Sequence, residues 1–567
     1  MSSPPRPEST RSRRDFFAWC SGIGLGATLF PEALASLLQD GSPVTRAAIA
    51  QAEQLAGLVF TDAERSQLER LVNQRRAAYE RLRARPLADD VAPCLYFDPV
   101  APGRLRPPAT ARRVVLPPMP SREAPGDLRE LAFATVAELS ALLRERAVTS
   151  VELTELFLAR IEQHDPTLFC TVTLLKERAL AQAKAADAEL DAGKWRGPLH
   201  GVPWGAKDLL YTKGARTTFG AEPWRDFVPE FDAAVVERLD AAGAVLIAKL
   251  SLGALAMGDL WFGGMTRNPW NPQQGSSGSS AGSASAAAAG LVPFAIGSET
   301  LGSIVSPSTR CGTTGLRPTF GRVSRHGAMA LSWTMDKLGP LCRNALDCAL
   351  VFAAIEGRDE RDRTTVDLGF DFDANRPLAG IKIGYLKAGF PAGGPAADRA
   401  VLEVLREQGA TPESMVLPDA GASDLADMLI VEGACAFDEP TRDGRLGQLR
   451  EQGASAWPNL FRAARFFPAV EFLRAARLRT QFLEATAQAF ADFDVIVTPP
   501  FAGEVLALTN LTGHPALVLP NGFHKDGTPT SITLVGKLYG EAELLRVGAA
   551  FQAATDHHTK MPPQFAV

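Results

Sequence analysis

The sequence has few cysteines, no excess charge of either sign and no long apolar run. Its seven cysteines show neither the paired spacing of a zinc site nor the density of a disulfide framework, which leaves at most a single bridge. The 59 Lys and Arg residues are balanced by 64 Asp and Glu, without a basic stripe that would neutralise phosphates. No run after the N-terminus reaches the roughly 20 apolar residues of a membrane-spanning helix. We therefore expect no nucleic-acid partner and no stable membrane insertion.

The N-terminus carries a pattern typical of an export signal. Residues 11–17 read RSRRDFF, a weakly apolar run follows at 18–30, and the small-residue sequence ALA at 33–35 suits a signal peptidase. We interpret residues 1–35 as a twin-arginine signal peptide. The prediction is a periplasmic or otherwise extracytoplasmic protein, with a cytoplasmic location as the alternative.

Composition divides the rest of the chain into three segments. Residues 36–98 are predicted as a helical extension, because apolar residues recur at helical spacing between 44 and 85 and indicate two or three helices. Residues 99–127 contain eight prolines and are predicted as an irregular connection. Residues 128–567 form the predicted main domain. The extension could cover a cleft, mediate a homodimer or pack on the surface, and its sequence does not decide among these.

The main domain alternates helical patterns with short apolar runs. Amphipathic helices are predicted at 136–146 and 150–164, the second capped by Thr149 or Ser150, and buried strands at 245–248, 381–384 and 495–498. This alternation predicts an α/β fold with a large mixed, mostly parallel β-sheet between α-helices. There is no internal repeat and no Gly-rich phosphate-binding motif.

Residues 275–290, GSSGSSAGSASAAAAG, are the most unusual stretch. Composition alone would make them a flexible linker, but they run from glycine and serine into an alanine-rich helix former, and then into apolar residues 291–296. A glycine C-cap at Gly290 would end such a helix. Side chains this small suit a buried helix in close contact with its neighbours.

A candidate nucleophile and a candidate base follow from two further stretches. Ser306 and Pro307 resemble an N-cap and first helical position, which would put Ser303 in a tight loop whose backbone N–H groups could stabilise an oxyanion. A serine needs a base, and the seven histidines each have an ordinary structural explanation. Lys207 follows an apolar, Gly-rich turn that would lower its pKa by desolvation, although a solvated pair with Asp208 is the ordinary alternative.

Several separated blocks in this order resemble the amidase-signature family. They are residues 200–208, 268–271, 278–290 and 297–319, with later blocks at 321–324, 336–340, 494–499 and 510–515. The resemblance covers about residues 130–558. It implies the amidase-signature fold and a serine amidase that hydrolyses linear amide bonds, and also ester bonds, without a metal or organic cofactor.

The resemblance also implies the site residues. Lys207, Ser279 and Ser303 would form a proton relay, with a cis peptide bond at Gly278–Ser279. The register at Ser279 rests on spacing, since Ser276 would need three extra residues. The implied oxyanion donors are the backbone N–H groups of Thr300, Leu301, Gly302 and Ser303, and the implied supporting residues are Gly278, Ser280 and Asp208.

Three positions depart from the family pattern. Leu301 and Ala281 stand where glycine is usual, and Val305 stands where arginine is often found. Leu301 would strain the loop if its position required a positive φ. We interpret the three changes as tuning within a subfamily, because all three relay residues are present.

Three other functions compete with a free-standing amidase. Residues 278–282 fit the G-x-S-x-G elbow of α/β-hydrolases, with Ser280 as nucleophile and His514 or His557 as base, but the prolines of 268–274 predict a loop where that elbow needs a strand. A tRNA-dependent amidotransferase A-type subunit belongs to the same family, and an export signal argues against it. An inactive amide-binding protein is the third alternative.

The sequence indicates the class of substrate less directly than it indicates the reaction. A small-molecule or short-peptide amide is expected, and Trp204, Met257, Trp261 and Phe262 suggest an apolar or aromatic acyl group. Ordinary core packing would explain the same four side chains.

Overall fold

The structure, a computed structural model, describes residues 43–84, 91, 95–118, 123–418 and 421–566. The predicted signal peptide therefore lies outside the described residues. The chain divides into two compact units, Met1–Leu87 and Ala88–Val567.

Residues 43–84, the described part of the first unit, contain two helices, where the sequence predicts two or three. Helix α1 spans Arg46–Ala56 and helix α2 spans Asp62–Arg83. Gly57 ends α1 in a left-handed conformation with φ of +64°, which costs glycine little. Glu53 is buried, and its carboxylate lies 2.8 Å from Nε of Arg65, so an ion pair joins the two helices.

The second unit interleaves helices and strands along the chain. The helices are α3 Val136–Arg144, α4 Ser150–Leu168, α5 Lys176–Asp191, α6 Ala234–Ala241, α7 Ala281–Ala288, α8 Val305–Cys311, α9 Ala345–Ile355, α10 Ala396–Glu407, α11 Asp427–Ala436, α12 Asp438–Arg442, α13 Trp457–Ala464, α14 Ala469–Ala489, α15 Val505–Leu511 and α16 Glu541–Ala553. The strands are β1 Arg112–Val115, β2 Thr171–Leu174, β3 Pro203–Lys207, β4 Val245–Leu250, β5 Leu260–Trp261, β6 Gly264–Met265, β7 Arg267–Asn268, β8 Asn271–Gly275, β9 Phe294–Glu299, β10 Thr314–Arg317, β11 Lys337–Cys342, β12 Phe370–Asp373, β13 Ile383–Leu386, β14 Glu413–Met415, β15 Val495–Thr498, β16 Ala516–Phe523 and β17 Pro529–Gly536. Short 3-10 helices lie at Leu128–Phe133, Glu222–Trp224, Ala254–Ala256, Lys387–Gly389, Asp424–Ala426, Arg445–Gln448 and His557–Thr559.

Eleven of the strands form one sheet in the order β14-β13-β15-β17-β16-β10-β11-β9-β3-β4-β2. Within the described residues, four neighbouring pairs are parallel (β13/β14, β13/β15, β3/β9, β3/β4) and the other six are antiparallel. The α/β fold with a large mixed sheet is confirmed, but the expectation that it is mostly parallel is wrong. Alternation of helices and strands reveals crossovers, whereas it does not reveal hairpins such as β16–β17 or the antiparallel β9–β11 pair.

Local signals set several element boundaries. Helices α3 and α4 each begin at a capping box, formed by Thr135 with Glu138 and by Thr149 with Glu152. This confirms the helix start predicted at 149–150. The predicted strands at 245–248, 381–384 and 495–498 correspond to β4, β13 and β15, with boundaries shifted by up to two residues.

The segment rich in glycine, serine and alanine is a buried helix. Every residue of α7 is buried, and the helix packs against β9, β11 and α8. A Cβ at Gly282 would lie 2.4 Å from the carbonyl oxygen of Cys170, so a larger residue is excluded there. The C-cap is Ala289, one residue earlier than the predicted Gly290, which follows it with φ of +65°.

Central strands bring two loops to the same edge of the sheet. Every residue of β3, β4, β9 and β11 is buried, so both faces of the sheet are covered here. Strands β3 and β9 are parallel neighbours. Their carboxyl ends, at Lys207 and Glu299, therefore meet at one edge.

Candidate active site

A buried lysine at this edge is surrounded by serine hydroxyls. Nζ of Lys207 lies 2.9 Å from Oγ of Ser279, 3.0 Å from Oγ of Ser280 and 2.9 Å from Oγ of Ser298. We call these four residues the Lys207 cluster. Ser298, the penultimate residue of β9, was not predicted from the sequence.

The environment of Lys207 favours the uncharged amine. Its side chain is fully buried, and burial lowers its pKa well below the ordinary value, although the charges of Asp336 and Glu299 act in the opposite direction. No carboxylate in the described ranges lies within ion-pair distance of Nζ. A neutral amine can accept a proton, and it lies within hydrogen-bonding distance of a serine that could supply one.

The Gly278–Ser279 peptide bond is cis, in agreement with the family resemblance. A Cβ at Gly278 would lie 1.8 Å from the carbonyl oxygen of Gly258, which excludes any side chain at this position. Ser276 has a different environment, because its hydroxyl donates to the carbonyl of Ser277 at 2.9 Å. The spacing alternative Ser276 therefore does not adjoin Lys207, whereas Ser279 and Ser280 both do.

Ser303 lies two residues before α8. The helix begins at Val305, with Ile304 as N-cap, and not at Ser306 and Pro307 as predicted. The carbonyl of Ser303 accepts a hydrogen bond from the N–H of Ser280 at 3.1 Å, which ties the two segments together. Its hydroxyl forms no hydrogen bond with any residue that the structure describes, so the expected contact with Ser279 is not made.

The loop of residues 300–303 presents four consecutive backbone N–H groups without an acceptor in the described part of the chain. The next two N–H groups, of Ile304 and Val305, both donate to Oε2 of Glu299, at 2.8 and 2.9 Å. The left-handed residue of the loop is Gly302, with φ of +87°, whereas Leu301 has no positive φ. The strain considered for Leu301 therefore does not arise.

Glu299 is the buried centre of a polar network that the sequence analysis missed. Its Oε1 accepts from Nη1 of Arg317 at 2.7 Å and from Nδ2 of Asn510 at 2.8 Å. Burial raises its pKa, but the positive charges of Arg317 and Lys337 and the hydrogen bonds outweigh this and lower the pKa to about 2. The sequence feature that could have revealed Glu299 is an acidic residue at the end of a mostly apolar run.

Asp336 holds the other end of the 300–303 loop. Its Oδ1 accepts from the hydroxyl of Thr300 at 2.6 Å, and its Oδ2 accepts from the N–H groups of Leu331 and Ser332. Burial raises its pKa. Asp336, Ser298 and Thr300 line a cavity of about 250 Å³, here called the Asp336 cavity. Its wall also includes Leu209, Ala256, Met329, Leu331, Trp333, Leu338 and Arg325.

Asp208 does not contact Nζ of Lys207. Its Oδ1 lies 3.0 Å from Nζ of Lys249, and its Oδ2 accepts from the N–H and hydroxyl of Thr218. The predicted supporting residue therefore belongs to a separate buried ion pair on the neighbouring strand β4. Any support that it gives to Lys207 is indirect.

The four predicted substrate-binding side chains divide into two groups. Trp204 is fully buried and stacks on Phe294 with 6.0 Å between ring centroids, so its assignment to a pocket wall is wrong. Core packing explains it, because β3 is covered on both faces. Met257, Trp261 and Phe262 line a second cavity of about 230 Å³, here called the Trp261 cavity.

The G-x-S-x-G alternative fails on hydrogen bonding. Residues 271–275 form strand β8, so the loop interpretation of this segment is wrong. Nevertheless the hydroxyl of Ser280 donates to the carbonyl of Ser298 at 3.0 Å. His514 is buried against Phe490, its pKa is lowered by burial to about 3, and no hydrogen bond joins it to Ser280 in the described residues.

The remaining expectations concern metals, membranes and the single disulfide that the sequence leaves open. No three His, Cys, Asp or Glu side chains of the described residues are close enough to hold a metal ion. None of the helices described is both long and apolar enough to span a bilayer. The five cysteines in these ranges are free thiols: Cys170, Cys311, Cys342, Cys348 and Cys435.

Comparison with known proteins identifies relatives over most of the chain. The model of the Amidase family matches residues 152–506. The A subunit of glutamyl-tRNA(Gln) amidotransferase from Chloroflexus aggregans is 36% identical, over 77% of this chain and 99% of that protein. The peptide amidase of Stenotrophomonas maltophilia superposes with a TM-score of 0.70 at 30% identity, covering 77% of this chain and all of that one. The A subunit of glutamyl-tRNA(Gln) amidotransferase from Thermotoga maritima superposes with a TM-score of 0.62 at 26% identity, covering 76% and 96%.

Proposed function

Because the chain belongs to the Amidase family, we propose that it cleaves carboxylic amide bonds through an acyl-enzyme on Ser303. The observation that carries the proposal is the buried Lys207, whose Nζ lies 2.9 Å from Oγ of Ser279 without a carboxylate partner in the described residues. Such an amine is a competent general base near neutral pH.

The proposed reaction moves one proton along the relay in each direction. Lys207 takes the proton of Ser279 while Ser279 takes that of Ser303, and Oγ of Ser303 bonds to the amide carbon. The N–H groups of the 300–303 loop stabilise the resulting oxyanion. When the intermediate collapses, the C–N bond breaks and the relay returns the proton to the departing nitrogen. Water then attacks the acyl carbon and gives up a proton to the relay, the bond between that carbon and Oγ of Ser303 breaks, the relay returns the proton to Oγ, and the acid is released.

The relay also needs a hydrogen bond between Ser279 and Ser303. That bond forms in the Michaelis complex, since hydrogen bonds of catalytic groups often tighten only when substrate is bound. The hydrogen bond from the N–H of Ser280 to the carbonyl of Ser303 already holds the two segments together.

The comparisons favour the amidotransferase alternative over a free-standing hydrolase. The relatives named as A subunits of glutamyl-tRNA(Gln) amidotransferase match the chain at 34–38% identity over nearly their whole length. We therefore propose that the chain releases ammonia from a carboxamide and that it acts with partner subunits. This assignment requires a cytoplasmic protein and is incompatible with the export predicted from residues 1–35.

A secreted amidase is the second candidate. It is favoured by the signal-like residues 1–35 and by the similarity to a peptide amidase over the full length of that enzyme. In this case Met257, Trp261 and Phe262 would bind an apolar part of the substrate in the Trp261 cavity. Ala256 lines the Asp336 cavity while Met257 lines the Trp261 cavity, so one loop borders both.

A serine-directed fluorophosphonate tests the shared chemistry. The purified chain should be labelled, and Ser303→Ala should abolish both labelling and amide cleavage. Ser283→Ala is the matched control, because Ser283 is also buried but bonds to the carbonyl of Ile296. Labelling that persists in Ser303→Ala would contradict the proposal, and a wild-type chain that neither labels nor cleaves amides would be an inactive binding protein.

Two activity measurements distinguish the amidotransferase subunit from the secreted amidase. Ammonia release from glutamine that rises in the presence of partner subunits and charged tRNA supports the amidotransferase. Cleavage of peptide amides or aryl amides by the chain alone supports the secreted amidase. Fractionation of cells expressing the full chain, beside Arg13→Lys/Arg14→Lys, tests export independently of activity.

A further inference from the structure

The two backbone N–H groups that directly follow the 300–303 loop donate hydrogen bonds to the buried carboxylate of Glu299. Oε2 of Glu299 accepts from both Ile304 and Val305. The first N–H groups of a helix have no partner within the helix, and a side chain that accepts from them fixes the path of the chain before the helix. Ile304, the N-cap residue, provides no capping hydrogen bond of its own. Glu299 therefore caps α8 from the preceding strand.

A carboxylate here carries a negative charge near the place where an oxyanion would form. Its charge is balanced by Arg317 on β10, whose Nη1 lies 2.7 Å from Oε1, and in part by Lys337 on β11. Arg317 is itself held by the hydroxyl of Thr509 and the carbonyl of His514. Val305, at a position where the family often has arginine, is an apolar buried residue and contributes no charge.

Asn510 completes the arrangement from helix α15. Its Nδ2 donates to Oε1 of Glu299 at 2.8 Å, and its Oδ1 is buried without a hydrogen-bond partner in the described residues. Glu299 thus accepts four hydrogen bonds, two from the backbone of Ile304 and Val305 at the start of α8 and two from side chains on other elements. All three side chains of the network are fully buried.

We propose that Glu299, Arg317 and Asn510 are positioning residues that hold the 300–303 loop in its oxyanion-binding shape and cancel the charge beside it. The inference rests on the proposed function of Ser303. The positive charge beside Glu299 comes from Arg317 on strand β10, because Val305 on helix α8 carries no charge. Without the network, the N–H groups of residues 300–303 lose their common orientation, and an unbalanced carboxylate opposes the negative transition state.

A double-mutant cycle tests the charge balance. Arg317→Met should lower kcat by about 100-fold, with KM changed by less than about threefold, because an oxyanion interaction acts in the transition state. The fluorophosphonate labelling rate should fall in parallel. Glu299→Gln/Arg317→Met removes both charges and should recover at least about tenfold of the lost kcat.

The matched control is a buried ion pair that does not touch the loop. Arg322 lies 3.3 Å from Glu356, and both side chains are almost fully buried. Arg322→Met should lower thermal stability without changing kcat of the folded protein. If Arg317→Met lowers kcat only as much as Arg322→Met does, or if the double variant recovers nothing, the network is merely structural and the inference is overturned.

A milder variant covers the case in which the charge variants do not fold. Asn510→Leu removes one donor to Glu299 and keeps the ion pair, and it also removes the unpartnered Oδ1. We expect kcat to fall by about three- to tenfold, with the melting temperature lowered because Nδ2 also donates to the carbonyl of Leu506. An unchanged kcat would contradict the positioning role. Wild-type labelling and its loss in Ser303→Ala, measured alongside, show whether a negative result concerns the network or the proposed function.

Discussion

Two fully buried lysines lie on neighbouring strands, and their partners differ. Lys207, at the end of β3, has three serine hydroxyls around Nζ and no carboxylate in the described residues. Lys249, on β4, lies 3.0 Å from Asp208 and donates to the hydroxyl of Thr217. Burial lowers the pKa of both amines, but Asp208 raises that of Lys249, whereas Lys207 has only more distant charges to oppose burial.

The partner therefore decides what a buried lysine does. A buried amine with a carboxylate beside it is a structural cation, since either charge alone would be costly to bury. A buried amine with only hydroxyls beside it is stable as the neutral form and can accept a proton. Adjacent residues of the sequence, Lys207 and Asp208, contribute to these two different sites.

The largest expected effect is that of Lys207→Met, which removes the base. We expect kcat to fall by about a thousandfold or more, in the range of general-base catalysis combined with loss of the relay. Stability near neutral pH should not fall, because an apolar side chain of similar size avoids the cost of deprotonating a lysine in order to bury it. Steady-state kinetics and thermal unfolding check this. Substantial residual kcat would mean that another group accepts the proton.

Lys249→Met should lower stability and leave kcat almost unchanged, the opposite of what we expect for Lys207→Met. Removing one partner of a buried pair leaves Asp208 uncompensated, and the free energy of unfolding should fall by about 3–5 kcal/mol. The folded fraction should keep its kcat within about threefold, because Nζ of Lys249 does not belong to the Lys207 cluster. Denaturant unfolding and active-site titration separate the two quantities. A selective loss of kcat with intact stability would contradict the distinction drawn between the lysines.

The pH dependence of stability sharpens the comparison. The folded pKa of Lys207 lies well below its unfolded value, so between the two pKa values the unfolded chain binds the extra proton. The unfolding free energy of the wild type relative to Lys207→Met should therefore rise with pH in that window, by about 1.4 kcal/mol per unit, and become level above the unfolded pKa. Unfolding curves of both proteins at several pH values measure it. A flat difference would mean that Lys207 is charged when folded.

The smallest expected effect is that of Ser298→Ala. This change removes one hydroxyl beside Nζ of Lys207 but leaves Ser279 in place. We expect kcat to fall by about three- to tenfold and stability by about 1 kcal/mol, the usual contribution of one hydrogen bond. Kinetics and unfolding of the variant test this. A loss as large as that of Lys207→Met would make Ser298 a member of the relay.

Much of the site could be predicted because its chemistry lies in contiguous motifs. The contact between Lys207 and Ser279, the cis bond before Ser279 and the loop at Ser303 all appear where the motifs put them. The parallel character of the sheet and the roles of Trp204 and Asp208 were predicted less well. These depend on which strands become neighbours and which face each side chain takes, and local patterns do not contain that information.

The sequence by itself determined the local features of this protein. Thr149 and Glu152 cap a helix through atoms three residues apart, and the small side chains of α7 let it pack closely against its neighbours. Only the tertiary structure decided that Glu299 meets an asparagine 211 positions away, and that Lys207 has no carboxylate partner in the described residues. The physical reason is that the charge and pKa of a buried group depend on everything packed around it, and that packing brings together residues from distant parts of the chain.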